Sequence, residues 1–294
     1  MKIGYPCINL SLDCRASRTF RLKSYSVEKL IKTVSGNLDC LEKMIDYNIE
    51  NNLLFLRITS DLIPFASHEI NDFNWQREFE DRFEEIGKKI KKADMRITMH
   101  PGQYTVLNSD KDAVFRKAVD ELNYHAEVLN LLKLSKEAKI NIHVGGVYGD
   151  KKASINRFVD RYKKLPQDIK DRLVIENDEK SYSVFDCLHI SKETGIPVTF
   201  DNLHHTINNK GEDVASLLKE VFKTWKEDDG LPIVHYSSQK PKEREGRHVD
   251  HIDEDHFKNF LEKTNCLDFD LILEVKDKEK SAQKALNIIE NKIK

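Results

Sequence analysis

Short apolar runs recur along this chain, separated by longer stretches in which apolar residues return every third or fourth position. The runs "KIGYPC" (2–7), "LLFLRIT" (53–59), "RITMH" (96–100), "INIHVGG" (140–146), "LVIEN" (173–177), "PVTFD" (197–201), "PIVHY" (232–236) and "DLILEV" (270–275) read as buried strands. Between them the periodicity predicts helices at 26–50, 76–92, 112–137, 153–164, 183–194, 212–227, 253–263 and 277–292, with Leu122, His125, Ala126 and Leu129 on one face of the third. Ser26, Asn74 and Asp253 stand where helix caps are expected.

Eight strands, each followed by a helix, predict an α/β fold, a TIM (β/α)8 barrel. The 294 residues exceed the ~250 typical of that fold by an amount that long loops absorb. No Gly/Ser-rich or Pro-rich linker divides the chain, so residues 1–294 are expected to form a single domain. An open dinucleotide-binding sheet is disfavoured because no GxGxxG follows the first strand.

In a barrel of this kind the chemistry gathers at the C-terminal strand ends. Here those ends and their adjoining loops carry His68, His100, His143, Glu176, Asp201, His204, His235, His248 and Glu274. A lone histidine at a strand end is usually a hydrogen-bonded structural residue. This many imidazoles and carboxylates converging on one rim would leave polar groups unsatisfied without a cation. A multinuclear metal site at the C-terminal face is therefore expected. Imidazole and carboxylate without thiolate suit zinc, manganese or iron, and the number of ligands calls for roughly two or three ions. Such clusters activate water and neutralise the attacking and leaving oxygens of a phosphodiester, although sugar isomerases on this fold use metals too. His125, His189 and His256 fall within helices and are assigned to packing or surface roles, and only one of His204 and His205 is expected to face the site.

Composition adds limits. Charged residues make up 33% of the chain and hydrophobic ones 39%, with a formal net charge of −2, so a nucleic-acid partner would need a local basic surface. The segment "SSQKPKEREGRH" (237–248) offers one through Lys240, Lys242, Arg244 and Arg247, and Arg57, Lys151, Lys152 and Arg157 could extend it. Cys7, Cys14, Cys40, Cys187 and Cys266 contain no CxxC pair, no signal peptide is legible at "MKIGYPCINL", and no apolar run approaches the ~20 residues of a membrane span. Reduced thiols and a cytoplasmic location follow as expectations. Just beyond His100, Gln103 and Tyr104 sit in a loop with no core to fill, where they could act as a wedge in a duplex. Tyr5 and Asn9, at the first strand's end, could face the same groove.

The segments "GYPCINL", "HPGQYTVLN", "IHVGG", "IENDE", "FDNLHH", "HYSSQ" and "LILEVKDKE" together resemble the ultraviolet damage endonucleases over nearly the whole chain. That resemblance implies an endonuclease-four-like metal barrel that cuts damaged double-stranded DNA immediately 5′ to cyclobutane dimers, 6-4 photoproducts and abasic sites. It implies up to three divalent ions, manganese first and zinc second, held by the nine residues above. It makes Gln103 and Tyr104 the pair that probes opposite a flipped-out lesion, with Tyr5 and Asn9 on the lesion side. The candidate catalytic groups are Glu176, Asp201, Glu274 and His235, with Asn177, Asp178 and Asn202 behind them fixing imidazole tautomers. A monomer that hands its nick to a polymerase and a flap nuclease is expected. One departure stands out: many family members carry a modifiable lysine two residues before the strand-seven histidine, and here that position is Ile233. The rival readings are a metal-dependent sugar isomerase or epimerase and a non-catalytic damage-binding protein.

Overall fold

The computed structural model describes residues 1–264 and 267–293. Its strands are β1 (Ile3–Pro6), β2 (Phe55–Ile58), β3 (Arg96–Met99), β4 (Lys139–His143), β5 (Leu173–Glu176), β6 (Val198–Asp201), β7 (Ile233–Tyr236) and β8 (Asp270–Leu273). All pair in parallel in chain order, and β1 closes on β8 through Ile3 opposite Leu271. The expected barrel is therefore present, with every strand inside its predicted run except β4, which begins one residue earlier at Lys139. Gly4 is required at the β1–β2 seam, because a Cβ there would lie 1.6 Å from the Phe55 carbonyl oxygen.

The helices are α1 (Val27–Glu50), α2 (Trp75–Glu78), α3 (Glu80–Lys92), α4 (Asp112–Leu131), α5 (Lys151–Lys163), α6 (Gln167–Arg172), α7 (Val184–Thr194), α8 (Asn202–Ile207), α9 (Val214–Phe222), α10 (Glu254–Lys263) and α11 (Glu279–Ile293). The caps stand as expected: Ser26, Asn74 and Asp253 accept from the amides of Lys29, Arg77 and His256 at 3.2, 3.1 and 3.0 Å. The helix expected at 112–137 stops at Leu131, since Lys133 turns left-handed (φ 53°) and leads the chain into β4. The helix expected at 76–92 is broken at Phe79, and the one at 212–227 ends at Phe222. Two short helices, α6 and α8, were not signalled by periodicity. One turn or two of chain is too short to show a repeat.

Alternation along the strands stacks the barrel interior in layers. At the N-terminal end, Arg96 pairs with Asp270 at 2.8 Å and Lys139 with Asp229 at 2.5 Å, the first three buried and Asp229 partly so. Above this charged floor, Phe55, Val174, Ile233 and Ile272 form a small apolar plug with Trp225. Ile233 thus packs beneath the rim rather than reaching it. One alternation higher on the same strands stand Arg57, Glu176, His235 and Glu274, at the C-terminal mouth.

The expectation that the cysteines are all reduced is corrected. Cys14, in the loop after β1, is disulfide-bonded to Cys40 on α1, with Cα atoms 5.7 Å apart. A separation of 26 residues gives no hint of this contact, which exists because the β1 loop folds back over α1. Cys7 and Cys187 are free thiols, and Cys266 lies outside the described residues. No helix among the described residues is long and apolar enough to cross a membrane.

Candidate active site

Two groups of side chains share Glu176 at the barrel mouth. His100, His143 and Glu176 offer ligand atoms within 4.8 Å of one another, and so do Glu176, Asp201, His235 and Glu274. Glu176 Oε1 lies 3.0 Å from His235 Nδ1 and its Oε2 lies 3.4 Å from His100 Nε2. His204, in the first turn of α8, adds Nδ1 at 3.7 Å from both Glu176 and Asp201. The imidazoles form an arc, with ring centres of His143 at 5.3 Å from His100 and 5.6 Å from His204. His248 is farther out, its Nε2 4.0 Å from Glu274.

Local structure explains why these rings point inward. Asp201 ends β6 and its side chain caps α8 by accepting from the His204 amide at 2.7 Å. That cap turns His204 toward the mouth, while His205 packs on Phe200 at 5.2 Å. Nδ1 of His100, His204 and His248 donates to the carbonyls of Pro101, Asn177 and Glu274 at 2.9, 3.0 and 2.6 Å. When neutral, a histidine held this way keeps a lone pair on Nε2, the form that binds metal. Asn141, two residues before His143 on β4, donates to Glu176 Oε2 and was not anticipated. Strand alternation alone would have pointed it at the site. Asp178 and Asn202 brace backbone instead of imidazoles: Asp178 accepts from the Tyr182 amide at 3.0 Å and Asn202 donates to the Ser237 carbonyl at 3.2 Å.

The electrostatics are those of a site short of positive charge. Burial, reinforced by Glu176 and Glu274, pushes the Asp201 carboxyl up to about 6 against the pull of His204. Burial opposes the charge of Glu176 as well, but His235, His143 and His100 hold its carboxyl well below the usual range. His204 resists desolvation and is raised to about 9 by Asp201 and Glu176. Two buried atoms facing this region, His143 Nδ1 and Asp201 Oδ2, have no hydrogen-bond partner among the described residues. Orphaned ligand atoms, crowded carboxylates and pre-set imidazoles all fit a divalent cation.

Several sequence expectations are corrected. Tyr5 and Asn9 do not face the mouth. Tyr5 is fully buried and donates to Asn48 on α1 at 2.7 Å, and the buried Asn9 donates to the Tyr5 hydroxyl at 2.9 Å. The inward residues of β1 are Gly4 and Pro6, so Tyr5 must point outward. Arg57 is no part of a DNA-facing surface. It is buried in the rim, 2.7 Å from Glu274, with Nη2 2.8 and 3.4 Å from the two nitrogens of His235, so it lies against that ring. Arg157 donates to the Asn108 carbonyl at 2.7 Å and Lys151 pairs with Asp186 at 2.6 Å, so both brace loops, while Lys152 is exposed. Exposed His68 lies outside the two ligand groups, as His204 and His248 also do, and its Nδ1 accepts from the Ile70 amide at 3.0 Å while its ring sits edge-on to Phe65.

Gln103 and Tyr104 occupy the centre of a tight turn closed by the Thr105 amide donating to the Gly102 carbonyl at 2.9 Å. Tyr104 is 83% exposed. The base of the loop is clamped: Arg161 donates to the Leu107 and Ser109 carbonyls, and Asn108 donates to the Tyr182 hydroxyl at 3.0 Å and the Gly146 carbonyl at 2.8 Å. Gly145 (φ 115°) permits this contact, since a Cβ there would come within 2.3 Å of Asn108 Oδ1. The result is a rigid base with a bare tip. Across the mouth, the basic segment is equally ordered. Gln239 fills the inside of the loop, donating to the Lys240 and Arg244 carbonyls at 3.0 Å and accepting from the Gly246 amide at 2.9 Å.

Comparison with known proteins agrees with this geometry. The family model for UV-endonuclease UvdE matches residues 1–292. The UV DNA damage endonuclease of Clostridium perfringens is 44% identical over 98% of this chain and 70% of its own length. A solved structure described as SacUVDE superposes with a TM-score of 0.96 at 45% identity, covering 100% of this chain and 99% of that one. Endonuclease IV from Thermus thermophilus shares the fold, with a TM-score of 0.57 at 15% identity over 85% of this chain and 93% of its own.

Proposed function

The chain belongs to the UV-endonuclease UvdE family, and from that membership, which makes it a DNA endonuclease, we propose that it incises the backbone immediately 5′ to cyclobutane dimers, 6-4 photoproducts and abasic sites. The observation that carries the proposal is the pairing of a histidine–carboxylate cluster with an exposed aromatic turn on the same face of the barrel.

In this reading His68, His100, His143, Glu176, Asp201, His204, His235, His248 and Glu274 hold two or three divalent ions, manganese before zinc. When bound, such ions polarise the scissile phosphate and lower the pKa of the attacking water. The chain's own residues do the rest. Glu176 ties both ligand groups together, Asn141 fixes its carboxylate, and Arg57 fixes Glu274. Gln103 and Tyr104 enter the duplex opposite the lesion, filling the gap left when the damaged dinucleotide flips out. A crosslinked or missing base stacks poorly, so the cost of flipping favours damage over intact sequence. Tyr5 and Asn9 serve from behind, holding the β1 loop against α1. The enzyme works as a monomer of one domain in the cytoplasm, leaving a 3′-hydroxyl for a polymerase.

The test is incision of an end-labelled duplex carrying one thymine dimer, with manganese, with EDTA, and against undamaged duplex. A single metal-dependent cut directly 5′ to the dimer is the expected result. Cutting of an abasic analogue alone would move the protein to the apurinic endonucleases. Binding without any cutting would make it a damage-recognition protein.

A further inference from the structure

The cleft extends past the cluster. Between the loop after β7 and the turn after β8 lies a cavity of about 410 Å3, whose wall includes Pro6, Arg244, Arg247, His248, Glu274 and Lys278. Two of those residues belong to the proposed ligand set, so the cavity opens directly beside the reacting linkage. The two bounding segments are joined where the Lys276 amide donates to the Val249 carbonyl at 3.2 Å and the Asp277 amide to the Asp250 carbonyl at 3.1 Å.

The cations here divide into spoken-for and free. Lys240 and Lys276 both converge on Asp250, at 2.6 and 3.0 Å, and Arg247 faces Glu243 at 3.6 Å. Arg244 and Lys278 both line the cavity, and neither has a carboxylate partner among the described residues. Lys278 is half-buried, and burial lowers its ammonium pKa even with Cys7 and Glu274 nearby. Its backbone is left-handed (φ 55°), a conformation that a non-glycine residue keeps where the surroundings impose it. Arg244 is presented by a loop that Gln239 orders from within. A free, partly desolvated ammonium and a free guanidinium across a shared cavity make an anion site, and neither is satisfied by the protein itself.

Building on the DNA-incision reading above, we propose that this cavity is a backbone-phosphate subsite in which Lys278 and Arg244 take the phosphodiester next to the one at the cluster. Its function is register: by seating the neighbouring phosphate it fixes which linkage reaches the cluster.

The test compares Lys278→Met and Arg244→Gln with Lys164→Met, which removes the same charge from the exposed C-terminal end of α5, away from the mouth. Affinity of the manganese-loaded protein is measured against salt concentration. The duplex carries a thymine dimer whose 5′ linkage is a nuclease-resistant phosphorothioate. Each cavity variant should flatten the slope of log affinity against log salt by about 0.9, the effect of losing one phosphate contact, while Lys164→Met leaves it near the wild-type value. Lys278→Arg should restore the slope, and unchanged melting curves establish that the variants are folded. Cavity variants indistinguishable from Lys164→Met would overturn the subsite. If wild-type protein still cuts a normal dimer duplex in that event, the incision reading stands. Wild-type protein that neither binds nor cuts would overturn both.

Discussion

Glu176 sits where the two ligand groups meet, buried and held ionised by three histidines. Glu176→Gln keeps the volume and removes the charge, so divalent-ion uptake should fall steeply and incision should drop by at least about 100-fold. Metal content by mass spectrometry and single-turnover cutting check both together. Retained metal with lost cutting would assign Glu176 to proton transfer instead. At this scale the sequence was legible wherever side chains follow strand alternation. The residues ending β4 to β8 were found because the chemistry of such a barrel gathers at its strand ends, and they face inward because inward positions come every second residue. The same rule, applied to β1, would have turned Tyr5 outward, and applied to β2 it would have put Arg57 in the rim. What alternation cannot show is a partner from a distant strand, such as Glu274 for Arg57.

Among the elements, the turn at 102–105 and the β1 loop carry opposite expectations. The tip of the first is exposed, so Gln103→Ala with Tyr104→Ala should change stability by no more than about 0.5 kcal/mol. Its effect should appear in the ratio of cutting rates on damaged and undamaged duplex, which falls toward one if the pair probes for lesions. The β1 loop is stapled by Cys14–Cys40. Closing a loop of this length stabilises by roughly 3 kcal/mol in the chain-entropy treatment, so Cys14→Ser should lower the unfolding free energy by about that amount. Denatured, unreduced protein should also show two fewer reactive thiols than reduced protein. Loop conformation was the least legible level in the sequence. "SSQKPKEREGRH" reads as a solvated charge run, and only the fold reveals that Gln239 templates it and that Asp250 neutralises Lys240.

For the molecule as a whole, the barrel could be read from the order of strands and helices, because a parallel array of this length closes on itself. Its acid limit follows from one buried group outside the site. His125, on α4, donates from Nδ1 to the Glu121 carbonyl at 2.7 Å, and burial lowers its pKa to about 4. The unfolded chain takes up this proton near pH 6.5 while the folded one resists it until about pH 4. Stability is therefore complete above the higher value and is lost progressively as pH falls, by about 3 kcal/mol in all. The unfolding free energy of His125→Gln relative to wild type, measured from pH 7 to pH 4, should shift in the variant's favour by a comparable amount. A pH-independent difference would remove His125 as the cause.

The seam between β1 and β8 joins residues nearly a full chain apart, with the Lys2 amide donating to Asp270 across 268 positions. Glu274 follows β8, so the last carboxylate of the cluster arrives only with the final strand. On the ribosome, a chain translated through β7 has an open sheet edge and an incomplete ligand set. The strand that closes the exposed edge is thus the same one that completes the ligand set.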